Sequence, residues 1–133
     1  MTPRTRPYKH TGRLDLACGQ NKQEGFTGID IAGDYDIKHD LMVVPWPIAK
    51  DSVEETFSSH FVEHIPHYRP EFSGIDGWWV FFNELYRVSK PDSKHTFVHP
   101  YAKSDRAFWD PTHTRYLHEM CWYYLDKGWR EAQ

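Results

Sequence analysis

The sequence predicts an α/β domain built on a mostly parallel sheet of about five strands. Three observations lead there. Short apolar runs of strand length recur along the chain, and two of them end in a small-residue turn or an acid: Leu14-Asp15-Leu16-Ala17-Cys18-Gly19 and Gly28-Ile29-Asp30-Ile31. Loops and one clear amphipathic helix separate these runs, the pattern of strands that return in the same direction. The length of 133 residues suits one domain with one core.

Each element follows from its residues. Residues 1–12 read as a flexible arm and 13–133 as a single domain. The arm carries Arg4, Arg6, Lys9 and His10 beside Pro3 and Pro7, the composition of a polar terminus. Residues 13–18 form the first strand, buried on both faces. Residues 19–25 are polar and end in glycine, so they form a loop. Residues 26–31 form the second strand, and 35–41 a short third strand ending at Asp40. Pro45-Trp46-Pro47 forbids regular structure. Residues 53–58 form the fourth strand, and 59–65 one or two helical turns stopped by Pro66.

Asp76 caps the next helix, in which Trp78, Phe81, Phe82, Leu85 and Val88 fall on one face as core. Lys90-Pro91-Asp92-Ser93 ends it in a turn, and 94–99 form the fifth strand. Residues 100–133 are aromatic and irregular, with a short helix over 117–125.

Composition limits the function. There are 16 basic and 19 acidic side chains, for a net charge of −3. That balance disfavours nucleic acid as a partner. No apolar run approaches the roughly 20 residues of a membrane helix. The two cysteines, Cys18 and Cys121, and the lack of a hydrophobic targeting core fit a reduced, cytoplasmic protein with no membrane partner.

The two strand-to-turn motifs also carry chemistry. A small-residue turn lets the backbone approach a ligand closely. An acid at the tip of the next strand can accept hydrogen bonds from ribose hydroxyls. Together they point to a cofactor of the adenosine type.

The ordered set of motifs resembles the class I S-adenosylmethionine-dependent methyltransferases, and within them the small type 11 group. The matching pieces are Leu-Asp-Leu-Ala-Cys-Gly (14–19), Gly-Phe-Thr-Gly-Ile-Asp (25–30), His-Asp-Leu (39–41), Pro-Trp-Pro (45–47) and Asp-Ser-Val-Glu-Glu (51–55). Ser-His-Phe-Val-Glu-His-Ile (59–65), Phe-Asn-Glu-Leu-Tyr-Arg-Val (82–88) and Asp-Pro-Thr-His (110–113) complete it. The resemblance implies a Rossmann-like three-layer sandwich, S-adenosylmethionine as cofactor, and methyl transfer to a small-molecule or sugar acceptor.

It also implies site residues. Asp15 would orient the amino-acid portion of the cofactor, and Ala17, Cys18 and Gly19 would line its turn. Asn21 stands where the family has a third glycine. Asp30 would take the ribose hydroxyls, with Ile31 beside it. Asp40 and Leu41 would face the adenine. Ser59 and His60 would line the methyl-transfer site, with His64 and His113 as bases or acceptor contacts. Cys18 reads as packing rather than as a nucleophile, since no base adjoins it.

Two departures are visible. Asp92 and Ser93 replace glycines of the turn after the long helix. There is no room for the hairpin that ends the family's sheet, so the fifth strand would be an edge. The aromatic tail (Phe108, Trp109, Tyr116, Trp122, Tyr123, Tyr124, Trp129) is expected to cover that edge or to pair with another copy in a homo-oligomer.

Two rival readings stand beside this one. The first is a non-catalytic binder of S-adenosylmethionine or S-adenosylhomocysteine. The second is a metal-dependent hydrolase, because His60-Phe61-Val62-Glu63-His64 spells H-x-x-E-H, with His67 within reach. The leading reading needs no metal, and Pro66 shortens the helix that the hydrolase pattern requires.

Overall fold

The structure, a computed structural model, describes residues 6–133. It is an α/β fold. Five strands, β1 (Arg13–Leu16), β2 (Thr27–Asp30), β3 (Ile37–Lys38), β4 (Val53–Ser59) and β5 (Ser89–Val98), form one sheet in the order β3-β2-β1-β4-β5. Every neighbouring pair runs parallel. Parallel neighbours need crossovers, and only β4 to β5 crosses through a long helix, α1 (Gly77–Val88). The other three crossovers are loops.

Helix α1 starts where the sequence places it. The Asp76 carboxylate accepts the Trp78 amide at 2.8 Å, which satisfies an N–H that the first turn leaves free. Trp78, Phe81, Phe82, Leu85 and Val88 are all buried. They join Leu14, Leu16, Ile29 and Ile37 in one apolar cluster on one face of the sheet. Phe81 is fully enclosed and its ring meets those of Trp46, Phe61 and Phe82. Deleting such a side chain costs about 3–5 kcal/mol.

The opposite face departs from the expected third layer. Over β1 and β2 it is covered by the loop 17–26 rather than by a helix. Asp15 lies there, buried, and a Cβ on its β2 partner Gly28 would come within 2.8 Å of both Cys18 Sγ and the Lys22 stem. Over β4 and β5 the same face stays partly open. Glu55 there bonds Arg13 at 3.1 Å, and Lys94 and Val98 are exposed.

Strand β3 is only two residues long, shorter than expected. Strand β5 is longer, because pairing begins at Val53–Ser89 and resumes at Glu55–Lys94. The expected turn at 90–93 is thus a bulge inside the strand. Asp92 sits there in left-handed backbone, φ 62°, which aspartate tolerates better than most residues.

Among the described residues no strand follows β5. Two short helices, α2 (Arg106–Trp109) and α3 (Lys127–Glu131), and a 3₁₀ segment over Glu119–Leu125 make up the tail. Trp122 anchors it, stacked on Phe97 with ring centres 5.2 Å apart. Phe108, Trp109, Tyr116, Tyr123 and Tyr124 remain exposed. At the other end, residues 1–5 of the expected arm lie outside the described residues. Later parts of it are tied down: the Tyr8 amide donates to Pro47 O at 2.9 Å and the Glu54 amide to Gly12 O at 2.8 Å. No helix among the described residues is long and apolar enough to cross a membrane.

Candidate functional site

The strand order reverses between β1 and β4, and in open parallel sheets ligands enter the crevice outside the carboxyl ends at such a point. Both strands end there in left-handed, non-glycine backbone: Ala17 has φ 60° and His60 has φ 57°. This conformation disfavours residues with a Cβ, and such strain clusters at functional sites. It turns each chain sharply off its strand. The turns are held by Ala17 N–H to Ile29 O at 2.9 Å and His60 N–H to Val98 O at 2.7 Å.

Asp30 closes β2 beside the first turn. Its Oδ2 accepts the Gly19 amide at 2.8 Å, and its Oδ1 accepts Ile31 N–H at 2.7 Å and Ala32 N–H at 3.4 Å. A carboxylate has about four acceptor positions, so Oδ2 keeps capacity for one further donor. A Cβ on Gly19 would meet nothing within 4 Å, so this backbone faces open space. Ile31, next to Asp30, is 60% exposed. These features fit a nucleoside ligand: an acid with spare capacity, an open backbone and an apolar platform.

Gly33 lies against the first turn, and no local sequence pattern marks it. Its φ is 96°, and a Cβ there would collide with the Gly19 carbonyl. The loop after β2 therefore lies directly on the turn after β1, joined by Asp34 N–H to Gly19 O at 2.7 Å.

The remaining expected residues hold the loops. Asp15 accepts the Gln23 amide at 2.8 Å, and burial raises its pKa above the ordinary carboxylate value. Cys18 is buried and its thiol is pushed up to about 11, first by burial and then by nearby acids, so it is inert packing. Asp40 accepts the Met42 amide at 2.9 Å and pairs with Arg69 at 3.1 Å. Leu41 is buried in the core. Both are engaged in fixing the 39–43 loop, with no apolar surface of Leu41 left for a ring. Ser59 ends β4 opposite Val98, half-buried.

A second group forms after β4. A 3₁₀ turn over Val62–His64 sits against the loop 110–115, with Thr114 N–H donating to Glu63 O at 2.8 Å. The rings of His64 and His113 meet edge to face, 4.7 Å between centres. Glu63 lies beneath them, 2% exposed, and neither carboxylate oxygen has a hydrogen-bond partner. Oε1 is 3.9 Å from His64 Nε2 and 3.6 Å from His60 Nδ1. One ligating atom each from Glu63, His64 and His113 falls within 4.8 Å of the others. His67, the third histidine of the hydrolase pattern, turns elsewhere: it bonds Asp76 at 2.8 Å and Thr114 O at 3.0 Å.

Two other hollows are visible. One, about 380 Å³, lies between the tail and α1 against Trp78, Trp79 and Tyr124. The other, about 890 Å³, lies along the bulge of β5. Neither includes Gly19, Asp30 or His64. Both are bordered by tail residues, Tyr124 in the first and Leu125, Lys127 and Arg130 in the second. Comparison with protein-family models, with curated proteins and with solved structures finds no match.

Proposed function

We propose that this chain is a Rossmann-like domain that binds S-adenosylmethionine across the carboxyl ends of β1 and β2 and transfers its methyl group to a small acceptor. One observation carries the reading. Asp30 ties the open Gly19 backbone to the tip of β2 at the point where the strand order reverses, and it keeps acceptor capacity for a ribose hydroxyl.

When bound, the cofactor would supply an activated methyl whose leaving group is the sulfonium sulfur itself, which departs as a neutral thioether. The residues of the chain then have modest tasks: orientation and exclusion of water. Asp30 accepts a ribose hydroxyl at Oδ2. Gly19 allows close backbone approach, and Ile31 packs on an apolar surface. An acceptor laid against the 62–64 turn meets His64 and His113, which draw on the proton of its hydroxyl or amine, with Glu63 buried beneath them.

The test is calorimetric titration of the chelator-treated protein with S-adenosylmethionine and S-adenosylhomocysteine. Saturable one-site binding is expected. Asp30→Ala is expected to weaken it by about 1.5–3 kcal/mol, the range for hydrogen bonds to a charged group. Absence of binding by the folded wild type overturns the reading. Wild-type affinity in a folded Asp30→Ala variant removes Asp30 from the site.

A further inference from the structure

We propose that Glu63, His64 and His113 form a binding site for a divalent transition cation of the zinc class.

The argument starts from what Glu63 lacks. A carboxylate that is 2% exposed with no donor on either oxygen is expensive, because buried charges are normally paired or hydrogen-bonded. No other side-chain acceptor among the described residues is left so bare: the remaining buried orphan is the hydroxyl of Ser58. The neighbours of Glu63 do not supply the missing donors.

A backbone carbonyl can only accept, so a ring nitrogen facing one must carry its proton. His113 Nδ1 lies 2.8 Å from Ala107 O, and His64 Nδ1 lies 3.2 Å from both Thr112 O and the Thr112 hydroxyl, whose own hydrogen goes to Asp110 Oδ1 at 2.7 Å. In each neutral ring the proton is therefore on Nδ1 and the lone pair on Nε2. Two imidazole lone pairs and a carboxylate converge with no hydrogen between them. A group made only of acceptors calls for a cation.

The arrangement around the rings is that of metal ligands. Ligating histidines almost always donate their second N–H to a carbonyl or carboxylate, which fixes tautomer and ring orientation. Here the Ala107 and Thr112 carbonyls do this. Two imidazoles and one carboxylate, with positions left open, suit zinc-like ions and disfavour magnesium and calcium, which take oxygen ligands. His60, 62% exposed at its side chain, lies 3.6 Å from Glu63 Oε1 and outside the group of three. A bound ion would acidify a hydroxyl that ligates it, the same service that the free cluster gives an acceptor. The site does not depend on the cofactor reading, since none of its ligands touches Asp30 or Gly19.

The test uses tag-free, chelator-treated wild type titrated with Co2+, followed by its visible absorption and by calorimetry, then displaced with Zn2+. One-site binding with the spectrum of a low-symmetry cobalt centre is expected, together with a rise in melting temperature on adding Zn2+. Losing even an outer partner of a ligand costs 10–100-fold, so Glu63→Gln and His113→Ala should each lose about 100-fold or more in affinity. Glu63→Gln keeps the shape of the side chain, which guards against a folding failure. His39→Ala, whose ring bonds only the Val43 carbonyl, should bind normally. No cobalt spectrum in folded wild type, equal binding by Glu63→Gln, or equal affinity for Mg2+ would each overturn the proposal.

Discussion

At the level of single residues, the carboxyl end of the sheet is organised by positions that tolerate no ordinary substitution. Gly33 is the clearest. Its left-handed backbone and its contact with the Gly19 carbonyl leave no space for a methyl group. Gly33→Ala is expected to destabilise the fold by about 1–3 kcal/mol, measured by urea unfolding, and to weaken S-adenosylmethionine binding along with it. Ala17 and His60 occupy similar backbone without being glycine. The sequence showed the turn at 17–19 and the acid at 30, because both are local patterns. It did not show Gly33, whose constraint comes from a chain segment packed across from it. Nor did it show that Glu63 points inward to meet His113, some fifty positions away. The H-x-x-E-H pattern placed His67 beside His60 and His64, whereas the fold sets His113 against His64 and turns His67 to Asp76.

At the level of elements, what was legible had strong periodicity. β1, β2, β4 and α1 lie within a few residues of their expected bounds, because apolar spacing and an Asp cap define them. β3 and β5 were harder. β3 is fixed by pairing rather than by its own residues. β5 absorbs the 90–93 turn, and there the half-buried His95 ring bridges Thr56 Oγ1 at 2.6 Å and Ser93 Oγ at 2.8 Å. Burial lowers the pKa of His95, keeping the ring neutral for these contacts. Asp76 shows how one residue serves three elements. It caps α1, bonds His67 and pairs with Arg115 of the loop that carries His113. Asp76→Ala should cost about 1–2 kcal/mol from the cap alone. The loop is expected to loosen as well, so thermal unfolding should start earlier and Co2+ affinity should fall. An unchanged melting curve would remove Asp76 from this role.

At the level of the molecule, the two halves of the sheet are held differently. Both halves share the one apolar cluster, to which β1–β3 give Leu14, Leu16, Ile29 and Ile37, but only the β4–α1–β5 half has a crossover helix. The β1–β2–β3 half has loops in place of crossover helices, and aspartates satisfy their amides: Asp15 takes Gln23, Asp30 takes Gly19, Asp36 takes Gly28. The Gly28 amide, followed by Lys22, holds the Asp36 carboxyl below the ordinary carboxylate range, against a smaller effect of burial. A lowered folded-state pKa adds stability above the unfolded value near 4 and loses it as pH falls further. Asp36→Asn should therefore be less stable than wild type at pH 7, with the difference shrinking below about pH 4, as read by urea unfolding across a pH series. Asp15 acts in the opposite sense. Its raised pKa favours the protonated folded state, so that contribution fades as pH rises.

The division at the switch between β1 and β4 has a dynamic consequence. Loops tied by single backbone-to-carboxylate bonds open more readily than segments buried around a ring such as Phe81. The edge at Gly19 and Asp30 belongs to these looser loops. A nucleoside bridging them would lend those loops the order the helical half has already, so occupancy would register as a gain in local stability. The binding edge is then also the part of the molecule with the most rigidity to gain.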